Sequence, residues 1–316
     1  MSEILLETRG LKKYFKTPAG MLHAVDGIDC KIKKGDTLGV VGESGCGKST
    51  LGKVVVDLIP ASDGQILYSG ADIRKAKKSE KKKSRHMMQM IFQDPSSSLN
   101  PRMTVMELIA EPMLVTPDMG TKKEIYAHAY DLMDKVGLAK RLASAYPHEL
   151  DGGRRQRIGV ARAIAPNPQF IVCDEPVSAL DVSVQAQILN LLMDLHDELG
   201  LTYMFITHDL SVVRHISDEI MVMYLGQCVE YAPADLLFKN PCHPYTKALI
   251  SVIPKPNLQA RSILGKTIQG ELSNPINPKP GCRFASRCPH CSDECTTGDV
   301  ALKAVEAGHY VACTKV

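Results

Sequence analysis

The chain has 316 residues, about two domains at ~150 residues each. Its 38 Lys and Arg against 35 Asp and Glu leave a formal charge of +3, which is too close to neutral for a dedicated nucleic-acid-binding protein. The 44% apolar and 23% charged fractions exclude whole-chain disorder, and no stretch reaches the ~18 uninterrupted apolar residues of a transmembrane helix. The N-terminus carries acids at Glu3 and Glu7 and no apolar signal region, so we expect the chain to stay in the cytoplasm unless a partner takes it to a membrane.

The hydrophobic pattern predicts strands first, then a helical stretch, and finally an alternation of strands and helices. The predicted strands span residues 5–14, 22–32, 37–41, 65–68, 170–173, 202–207 and 220–223. One predicted helix begins near residue 51, and a helical pattern fills much of 104–145. Two further helices are predicted at 184–199 and 210–216. Alternation of this kind predicts a mostly parallel sheet covered by helices.

A basic segment at residues 74–85 holds eight Lys and Arg side chains against one acid, Glu80. Such a run suits a nucleic-acid or anionic-lipid patch, or else a solvated helix or loop. No aromatic residues interleave with the basic ones for base stacking. We therefore interpret the segment as a solvated element and predict no nucleic-acid partner.

The ten cysteines are distributed unevenly, with five of them in the last 35 residues. In a chain of this size without a signal region, we expect cysteines to stay reduced, bind metal or lie in the core. The composition shifts near Pro254, and we interpret the proline-rich stretch at 273–281 as a linker before the cysteine cluster. We therefore predict a domain at 1–253, with a helical part at about 100–165, and a small cysteine-rich extension at 254–316.

A phosphate-binding loop is predicted where Gly42-x-x-x-x-Gly47-Lys48-Ser49 lies between a predicted strand and a predicted helix. Glycines let successive backbone N–H groups curl around phosphates, and the helix adds its positive N-terminus. The Lys48 ammonium would contact the β- and γ-phosphates, and the Ser49 hydroxyl would bind Mg²⁺. The residues predicted to bind ATP here are Gly42, Ser44, Gly45, Cys46, Gly47, Lys48, Ser49 and Thr50.

A buried strand at 170–174 ends in two adjacent carboxylates, Asp174 and Glu175. A phosphate-binding loop needs such an acidic element, because Mg²⁺ must be held and the attacking water must be ordered. Asp174 would take the metal through water, and Glu175 would polarise the attacking water as general base. Strand ends commonly carry acids, so the pair alone is weak evidence for a catalytic site. Together with the phosphate-binding loop it is strong evidence.

Between these two elements lies Leu150-Asp151-Gly152-Gly153-Arg154, which resembles the signature motif of the ABC ATPases. The other motifs of that family are present in order, and the matching positions are Gln93 (Q-loop), Ser178 and Asp181 (D-loop) and His208 (switch histidine). Near the N-terminus, Phe15 stands where an aromatic ring stacks on adenine, and it aligns better than Tyr14. The resemblance implies catalytic roles for Glu175, His208 and Gln93, the last also as a contact to Mg²⁺.

Further stretches resemble the ATPases of oligopeptide and dipeptide importers, and they are residues 92–101, 146–149, 240–246 and the cysteine-rich tail. The resemblance implies an α/β fold of the ABC-type P-loop NTPase: a RecA-like mixed-sheet core, an N-terminal antiparallel β part and an α-helical subdomain, plus the small cysteine-rich extension. It also implies a nucleotide-binding subunit whose ATP hydrolysis energises uptake of di- or oligopeptides. Nickel and glutathione importers are close relatives, so the cargo stays open.

The same resemblance implies partners. They are two integral membrane permease subunits, a second homologous ATPase subunit in a heterodimer, and indirectly an extracytoplasmic peptide-binding protein, which would place the chain peripherally at the cytoplasmic face of the membrane. Two ATPase subunits would close head to tail, so that Lys48 and Ser49 of one chain and the signature of the other grip each ATP. A soluble ABC protein of DNA maintenance or translation fits poorly, because residues 50–145 lack a long heptad run and only one phosphate-binding loop exists. A metal- or redox-sensing regulator would leave the ATPase motifs unexplained.

The signature departs from the family pattern at two positions, with Asp151 in place of Ser and Arg154 in place of Gln. An ionised Asp only accepts hydrogen bonds, so a γ-phosphate repels it unless a cation such as Arg154 neutralises it. One hypothesis is that the ATP site using this signature is the less active of two. The alternative is that Asp151 turns aside to cap the helix that it precedes.

The resemblance implies a [4Fe–4S] cluster in the tail, and the matching positions are Cys282, Cys288, Cys295 and Cys313. Cys291 is then a spare thiol. Zn²⁺ is an alternative, since Cys288-x2-Cys291 offers one pair at a spacing typical of structural zinc, and free or disulfide-linked thiols are a third. We expect a structural role for the cluster, because ATP hydrolysis needs no electron and the tail lies outside every nucleotide motif.

Overall fold

The structure, a computed structural model, describes residues 3–253, 275–298 and 300–316. The described chain divides into two compact units. The first unit comprises residues 3–5, 33–36 and 71–204. The second comprises residues 6–32, 37–70, 205–253, 275–298 and 300–316. No helix within the described ranges is long and apolar enough to cross a membrane.

The strands are β1 (Ile4–Thr17), β2 (Gly20–Lys33), β3 (Thr37–Val41), β4 (Asp63–Tyr68), β5 (Ala71–Asp72), β6 (Met88–Ile91), β7 (Phe170–Asp174), β8 (Thr202–Thr207), β9 (Glu219–Tyr224), β10 (Gln227–Pro233), β11 (Lys303–Glu306) and β12 (His309–Val311). The α-helices are α1 (Lys48–Val55), α2 (Lys78–Met87), α3 (Pro95–Ser98), α4 (Val105–Val115), α5 (Lys122–Lys135), α6 (Gly152–Ile164), α7 (Val182–Leu199), α8 (Leu210–Ile216), α9 (Ala234–Lys239) and α10 (Pro244–Ser251). Short 3₁₀ helices lie at Lys140–Leu142, Pro147–Glu149, Ala285–Arg287 and Asp293–Cys295.

The second unit is built on a mixed sheet around β3. Every residue of β3 is buried, and the strand runs parallel to β9, with Val40 opposite Met221. β9 pairs antiparallel with β10, β10 with β12, and β12 with β11. A separate antiparallel pair joins β1 to β4, with Leu6 opposite Tyr68. Since β3 is buried along its length, its sequence is a continuous apolar run, which is the signal that predicted it.

The first unit combines a parallel strand pair with packed helices. β6 runs parallel to β7, with Met90 opposite Val172. Helix α4 begins at a capping box, in which the Thr104 hydroxyl accepts from the Glu107 N–H and the Glu107 carboxylate accepts from the Thr104 N–H. The helices α4, α5 and α6 each bury an apolar face. This agrees with the helical pattern predicted for 104–145.

Several elements after residue 224 were not predicted from the sequence. They are β10, α9, α10, β11 and β12, and they carry the chain from the sheet into the extension. The basic segment forms α2, in which no residue is buried. This agrees with the interpretation of residues 74–85 as a solvated element.

The cysteine-rich extension is built into the core of the second unit. The Phe284 ring packs against the rings of Tyr224 and Tyr245, with centroids 5.3 and 5.4 Å away, and all three side chains are buried. Because the extension shares this core, its fold depends on β9 and α10.

The proline-rich stretch at 273–281 was interpreted as a linker, and its described part begins at Pro275. The Asn277 N–H donates to the Met21 carbonyl over 2.9 Å, and Ile276 bridges to Leu22 in antiparallel fashion. The described part is therefore hydrogen-bonded to β2. Residues 254–274, which include the first two residues of this stretch, lie outside the described residues. The domain boundary at 253/254 therefore stays a prediction.

A fully buried carboxylate in β10, Glu230, holds two parts of the second unit together. Its oxygens accept from the N–H groups of Cys242 (2.7 Å) and His243 (2.9 Å), and Oε1 lies 2.7 Å from Nε2 of His309. Burial lowers the pKa of His243 to about 4, so that ring stays neutral. The ligand atoms of Glu230, Cys242 and His309 lie within 4.8 Å of one another, a spacing that suits a metal. Since the carboxylate already makes these three contacts, we assign it a structural role.

Replacing Glu230→Ala should lower the free energy of unfolding by about 3 kcal/mol or more, because buried N–H groups lose their acceptor. Urea unfolding followed by circular dichroism measures the change. The matched control is Glu294→Ala, whose exposed carboxylate pairs with Lys315 over 3.2 Å and should contribute within about 0.5 kcal/mol. Equal losses in the two variants would contradict the structural role of Glu230.

Candidate functional site

The phosphate-binding loop follows β3 and has a backbone that requires glycine at two of its positions. Gly42 and Gly47 have φ angles of +153° and +106°, which L side chains rarely adopt. A Cβ on Gly42 would collide with the Met223 carbonyl oxygen, and one on Gly47 would collide with that of Ala24. The loop is therefore packed against neighbouring backbone, and its curvature is fixed by the rest of the second unit.

Lys48 begins helix α1 and is buried, although it carries the charge expected to meet phosphates. Its ammonium donates to the carbonyls of Gly42 (2.7 Å) and Glu43 (3.0 Å) inside the loop. Ser49 and Thr50 lie half-buried in the first turn of α1, while Ser44 and Gly45 are exposed. The loop thus presents a lysine and a helix N-terminus together, which is a site for an anionic group.

Cys46 is a buried structural thiol of this loop. Burial raises its pKa, and its Sγ lies 3.9 Å from the Lys48 ammonium. Its carbonyl accepts from the Gly226 N–H over 2.7 Å. The side chain fills space behind the loop, so any contact with a nucleotide would come from its backbone.

The two aromatic candidates near the N-terminus have different surroundings. The Tyr14 hydroxyl donates to Asp26, and its ring stacks on His23 with centroids 4.0 Å apart. Phe15 is half-buried, with the Lys13 ammonium 4.7 Å from its ring centroid. Since Tyr14 is engaged within the protein, Phe15 remains the candidate for stacking on a base that the resemblance implied.

In the first unit, β7 delivers the adjacent carboxylates. Asp174 is buried at the strand end, and Glu175 follows it with a φ of +45°, an uncommon conformation for a non-glycine residue. Gln93 Nε2 donates to Glu175 Oε2 over 2.9 Å. The structure thereby brings together two of the three predicted catalytic residues. Backbone strain of this kind clusters at functional sites.

The loop after Glu175 holds the D-loop residues. The Ser178 hydroxyl donates to the Glu175 carbonyl over 3.1 Å, which closes a tight turn. Asp181 is exposed at the start of α7, and its carbonyl accepts from the Gln185 N–H over 2.8 Å. Both D-loop positions therefore lie at the surface of the first unit.

The signature residues form the start of α6. Asp151 caps the helix, since its carboxylate accepts from the Arg154 N–H over 2.8 Å, and its other oxygen lies 3.4 Å from Arg154 Nε. A Cβ on Gly153 would lie 2.7 Å from Val184 Cγ1, so this glycine allows α6 to approach α7. The capping role that the sequence offered as an alternative is thus present in the structure.

His208 is exposed directly after β8, which places it at the carboxyl end of a buried strand. The next residue, Asp209, caps α8 by accepting from the Ser211 N–H over 2.8 Å. Phe15, His208 and the phosphate-binding loop belong to the second unit. Gln93, the paired carboxylates, the D-loop and the signature belong to the first.

Four of the five tail cysteines line one small cavity, and they are the four predicted ligands, Cys282, Cys288, Cys295 and Cys313. Cys291 lies outside this cavity; it is exposed and lines a larger one of about 650 Å³ together with Pro278 and Arg283. Burial raises the pKa of the Cys282 thiol to about 11, whereas the Thr314 hydroxyl lowers the pKa of Cys295. Cys282 and Cys295 line this larger cavity as well, so Cys291 is the one tail cysteine that does not line the small cavity.

The tail lies outside every nucleotide motif in the sequence, yet it contacts one of them in the structure. Arg287, the residue before Cys288, donates from both terminal nitrogens to the carboxylate of Glu43 over 2.8 and 3.1 Å. Tyr245 in α10 accepts from the Glu43 N–H over 2.8 Å. Sequence reasoning missed Glu43, Arg287 and Tyr245 as site residues. The available signal was that the stretches around them match the same importer ATPases.

Comparisons with known proteins identify the family of this chain. The family described as "ABC transporter" matches residues 25–178, and the "Oligopeptide/dipeptide transporter, C-terminal region" matches 229–295. The oligopeptide transport ATP-binding protein OppF of Escherichia coli (strain K12) is 47% identical over 99% of this chain and 94% of its own length. OppF of Salmonella typhimurium is 48% identical over 96% of this chain and 91% of its own.

Solved structures are similar as well. A dimeric ATP-binding cassette, MJ0796, bound to ADP and Pi after hydrolysis, is 27% identical with a TM-score of 0.67, covering 72% of this chain and 98% of its own. The cassette cbiO1 from Clostridium perfringens, part of an ABC transporter complex, is 26% identical with a TM-score of 0.66, covering 75% and 92%. These likenesses confirm the predicted α/β fold of an ABC-type P-loop NTPase. The chain is therefore an ABC-type ATPase and belongs to the oligopeptide transport ATP-binding branch of the ABC transporter family.

Proposed function

We propose that this chain hydrolyses ATP to energise the uptake of di- or oligopeptides by a membrane importer. The observation that carries the proposal is the loop at 42–50, whose backbone admits only glycine at two positions and presents Lys48 beside a helix N-terminus. Support for the cargo comes from the relatives, which are oligopeptide transport ATP-binding proteins at 47–48% identity over nearly the whole chain.

Nucleotide binding is assigned to the loop and its neighbours. Phe15 stacks on the adenine, the backbone N–H groups of the loop surround the phosphates, and Lys48 contacts the β- and γ-phosphates. Bound Mg²⁺ neutralises charge that develops on the phosphate oxygens. Ser49, Asp174 and Gln93 offer hydroxyl, carboxylate and amide oxygens, which are the hard donors that this ion prefers.

Catalysis is assigned to Glu175 as the base that accepts a proton from the attacking water. The hydrogen bond from Gln93 to Glu175 orients that carboxylate before the water arrives. His208, at the end of β8, is assigned as the switch histidine. If Glu175 were only a structural turn residue, its hydrogen bond with Gln93 would have no role in catalysis.

The working transporter in this proposal contains further subunits. A second, homologous ATPase subunit supplies the trans signature, and the Asp151–Arg154 segment of this chain acts on the partner's nucleotide. Two integral membrane permease subunits dock on the pair, and an extracytoplasmic binding protein delivers the peptide, so the chain works peripherally at the cytoplasmic face. Closure driven by ATP and reopening after hydrolysis then alternate the access of the permease.

A [4Fe–4S] cluster held by Cys282, Cys288, Cys295 and Cys313 is part of the proposal. The donor set fits, because these four thiols line one cavity and thiolates are the usual ligands of such clusters. When bound, the cluster would cross-link a segment that is too small to fold around a core of its own.

Replacing Glu175→Gln should keep ATP binding and slow hydrolysis about 100-fold or more, because an amide cannot accept the proton from water. The assembled transporter should also stop importing labelled peptide. The measurements are phosphate release, equilibrium binding of ATP, and uptake of peptide beside nickel and glutathione. Glu198→Gln, an exposed residue that pairs with Lys135, is the control. Hydrolysis near the wild-type rate would remove Glu175 as the base, and uptake of nickel or glutathione alone would overturn the peptide assignment.

Replacing Asp151→Ser should raise ATP hydrolysis severalfold at the site that uses this signature, because it removes a carboxylate next to the γ-phosphate and adds a donor. Serine is as good a helix cap as aspartate, so α6 should stay equally stable. The test uses a heterodimer whose other site is disabled, with Asp151→Asn as a neutral control. An unchanged rate would show that Asp151 acts only as a cap.

Protein purified without oxygen should be brown and contain about four irons and about four sulfides per chain. Cys295→Ser should lose the colour, because this thiol lines the cavity, while Cys291→Ser should keep it. Visible absorption and metal analysis measure both variants. A colourless wild type that carries one zinc ion would overturn the cluster.

A further inference from the structure

Glu43 is the second residue of the phosphate-binding loop, and parts of the protein far along the chain hold it from two directions. Its backbone N–H donates to the Tyr245 hydroxyl in α10 over 2.8 Å. Its carboxylate accepts two hydrogen bonds from Arg287, at 2.8 and 3.1 Å. Both partners lie outside the nucleotide-binding motifs, and 244 positions separate Glu43 from Arg287.

This ion pair differs from an ordinary surface pair. Only 6% of the Arg287 side chain and 22% of the Glu43 side chain are exposed. The guanidinium also donates to the Tyr224 hydroxyl over 3.3 Å and lies 6.0 Å from the Phe284 ring centroid. A bidentate pair of hydrogen bonds with little solvent exposure fixes the orientation of the carboxylate and neutralises its charge. The position of the Glu43 side chain is therefore well defined.

The same contacts lead back to the tail cysteines. Arg287 directly precedes Cys288, and Phe284 lines the cysteine cavity while it packs against Tyr224 and Tyr245. The thiol that begins the segment, Cys282, lines this cavity too. Ordering of the cysteine segment therefore orders the side chains that grip Glu43.

A second arginine repeats the arrangement. Arg283, the residue after Cys282, has a buried side chain that pairs with Asp26 and donates to the Leu225 carbonyl. Asp26 in turn accepts from Tyr14, the neighbour of Phe15. Arg287 thus contacts a residue of the phosphate-binding loop directly, whereas Arg283 reaches the neighbour of Phe15 only through Asp26.

The negative charge of Glu43 makes its pairing with Arg287 relevant to phosphate binding. The Glu43 carbonyl accepts from the Lys48 ammonium over 3.0 Å, so the carboxylate belongs to a residue that touches the phosphate-binding lysine. An unpaired carboxylate there would repel a triphosphate and compete for Lys48. Paired with Arg287, the carboxylate is neutralised and held by two hydrogen bonds.

We infer that the cysteine-rich segment is a positioning element of the nucleotide site, in which Arg287 holds and neutralises Glu43 so that the loop is ready for ATP. This inference rests on the proposed ATP binding. It changes the role expected for the segment from a structural appendix to a part that sets nucleotide affinity. Arg287 is a positioning residue here, since it acts through Glu43.

The test measures the Kd for ATP by fluorescence titration of the full chain, below the melting temperature of each variant. Arg287→Met should raise the Kd about tenfold, which corresponds to about 1.4 kcal/mol. Arg287→Lys, which keeps the charge but loses the fork, should raise it less. Arg9→Met is the control, because it breaks another forked Arg–Glu pair, with Glu7 at 2.9 and 3.0 Å, in which the arginine is largely exposed.

The decisive variant is the double substitution Arg287→Met with Glu43→Gln. If the grip acts by neutralising the carboxylate, removing that carboxylate should restore most of the lost affinity. A double variant as weak as Arg287→Met, or a single variant with unchanged Kd and unchanged melting temperature, would overturn the inference.

The link to the cysteines is tested with Cys288→Ser and Cys291→Ser. Cys288→Ser should raise the Kd for ATP severalfold, whereas Cys291→Ser should leave it unchanged, because only Cys288 lines the cavity beside Arg287. Equal Kd values in both variants would contradict the role of the cysteines. A wild-type chain that binds no ATP at all would instead refute the proposed function, so the two failures are distinguishable.

Discussion

The close approach of the phosphate-binding loop to neighbouring backbone is the constraint on which the rest of the second unit depends. Gly42 touches the end of β9 at Met223, and Gly47 touches β2 at Ala24. No side chain fits at either place, so the loop keeps its curvature only while β2, β3 and β9 keep their register. The parallel pairing of β3 with β9 and the hydrogen bond from the Gly226 N–H to the Cys46 carbonyl hold that register. Phosphate binding is therefore a property of the sheet as well as of the motif.

Local patterns predicted the parts of the structure that local physics determines. The apolar runs of β3 and β8 and the helix at 210–216 were predicted with their observed bounds, because buried strands and amphipathic helices carry their period in the sequence. The paired carboxylates and the glycine-rich loop were found for the same reason, since each motif lies within a few residues of chain. The role of Asp151 as a helix cap was readable too, because capping involves only the next turn.

Long-range contacts were out of reach of the same reasoning. The hydrogen bond between Arg287 and Glu43 spans 244 positions, and no periodicity connects two such residues. The short strands β11 and β12 carry weak patterns and owe their structure to pairing with β10, so tertiary context decides them. The fully buried Glu230 is a similar case, because a carboxylate in an apolar strand gives no hint of its partners at 242, 243 and 309.

The fully buried carboxylate of Glu230 and the partly buried carboxylate of Glu43 have the same physical role at different places. A buried ion pair gives little net stability compared with apolar packing, since desolvation opposes the attraction, yet removing one partner leaves an expensive orphan charge. Such pairs therefore act mainly by excluding alternative arrangements. Glu230 disfavours any packing of the extension that withdraws His309, and by our inference Arg287 disfavours positions of the loop that turn Glu43 toward Lys48. Because both contacts connect the cysteine-rich extension to the unit that carries the phosphate-binding loop, we expect a change in the cysteine-rich segment to affect that loop.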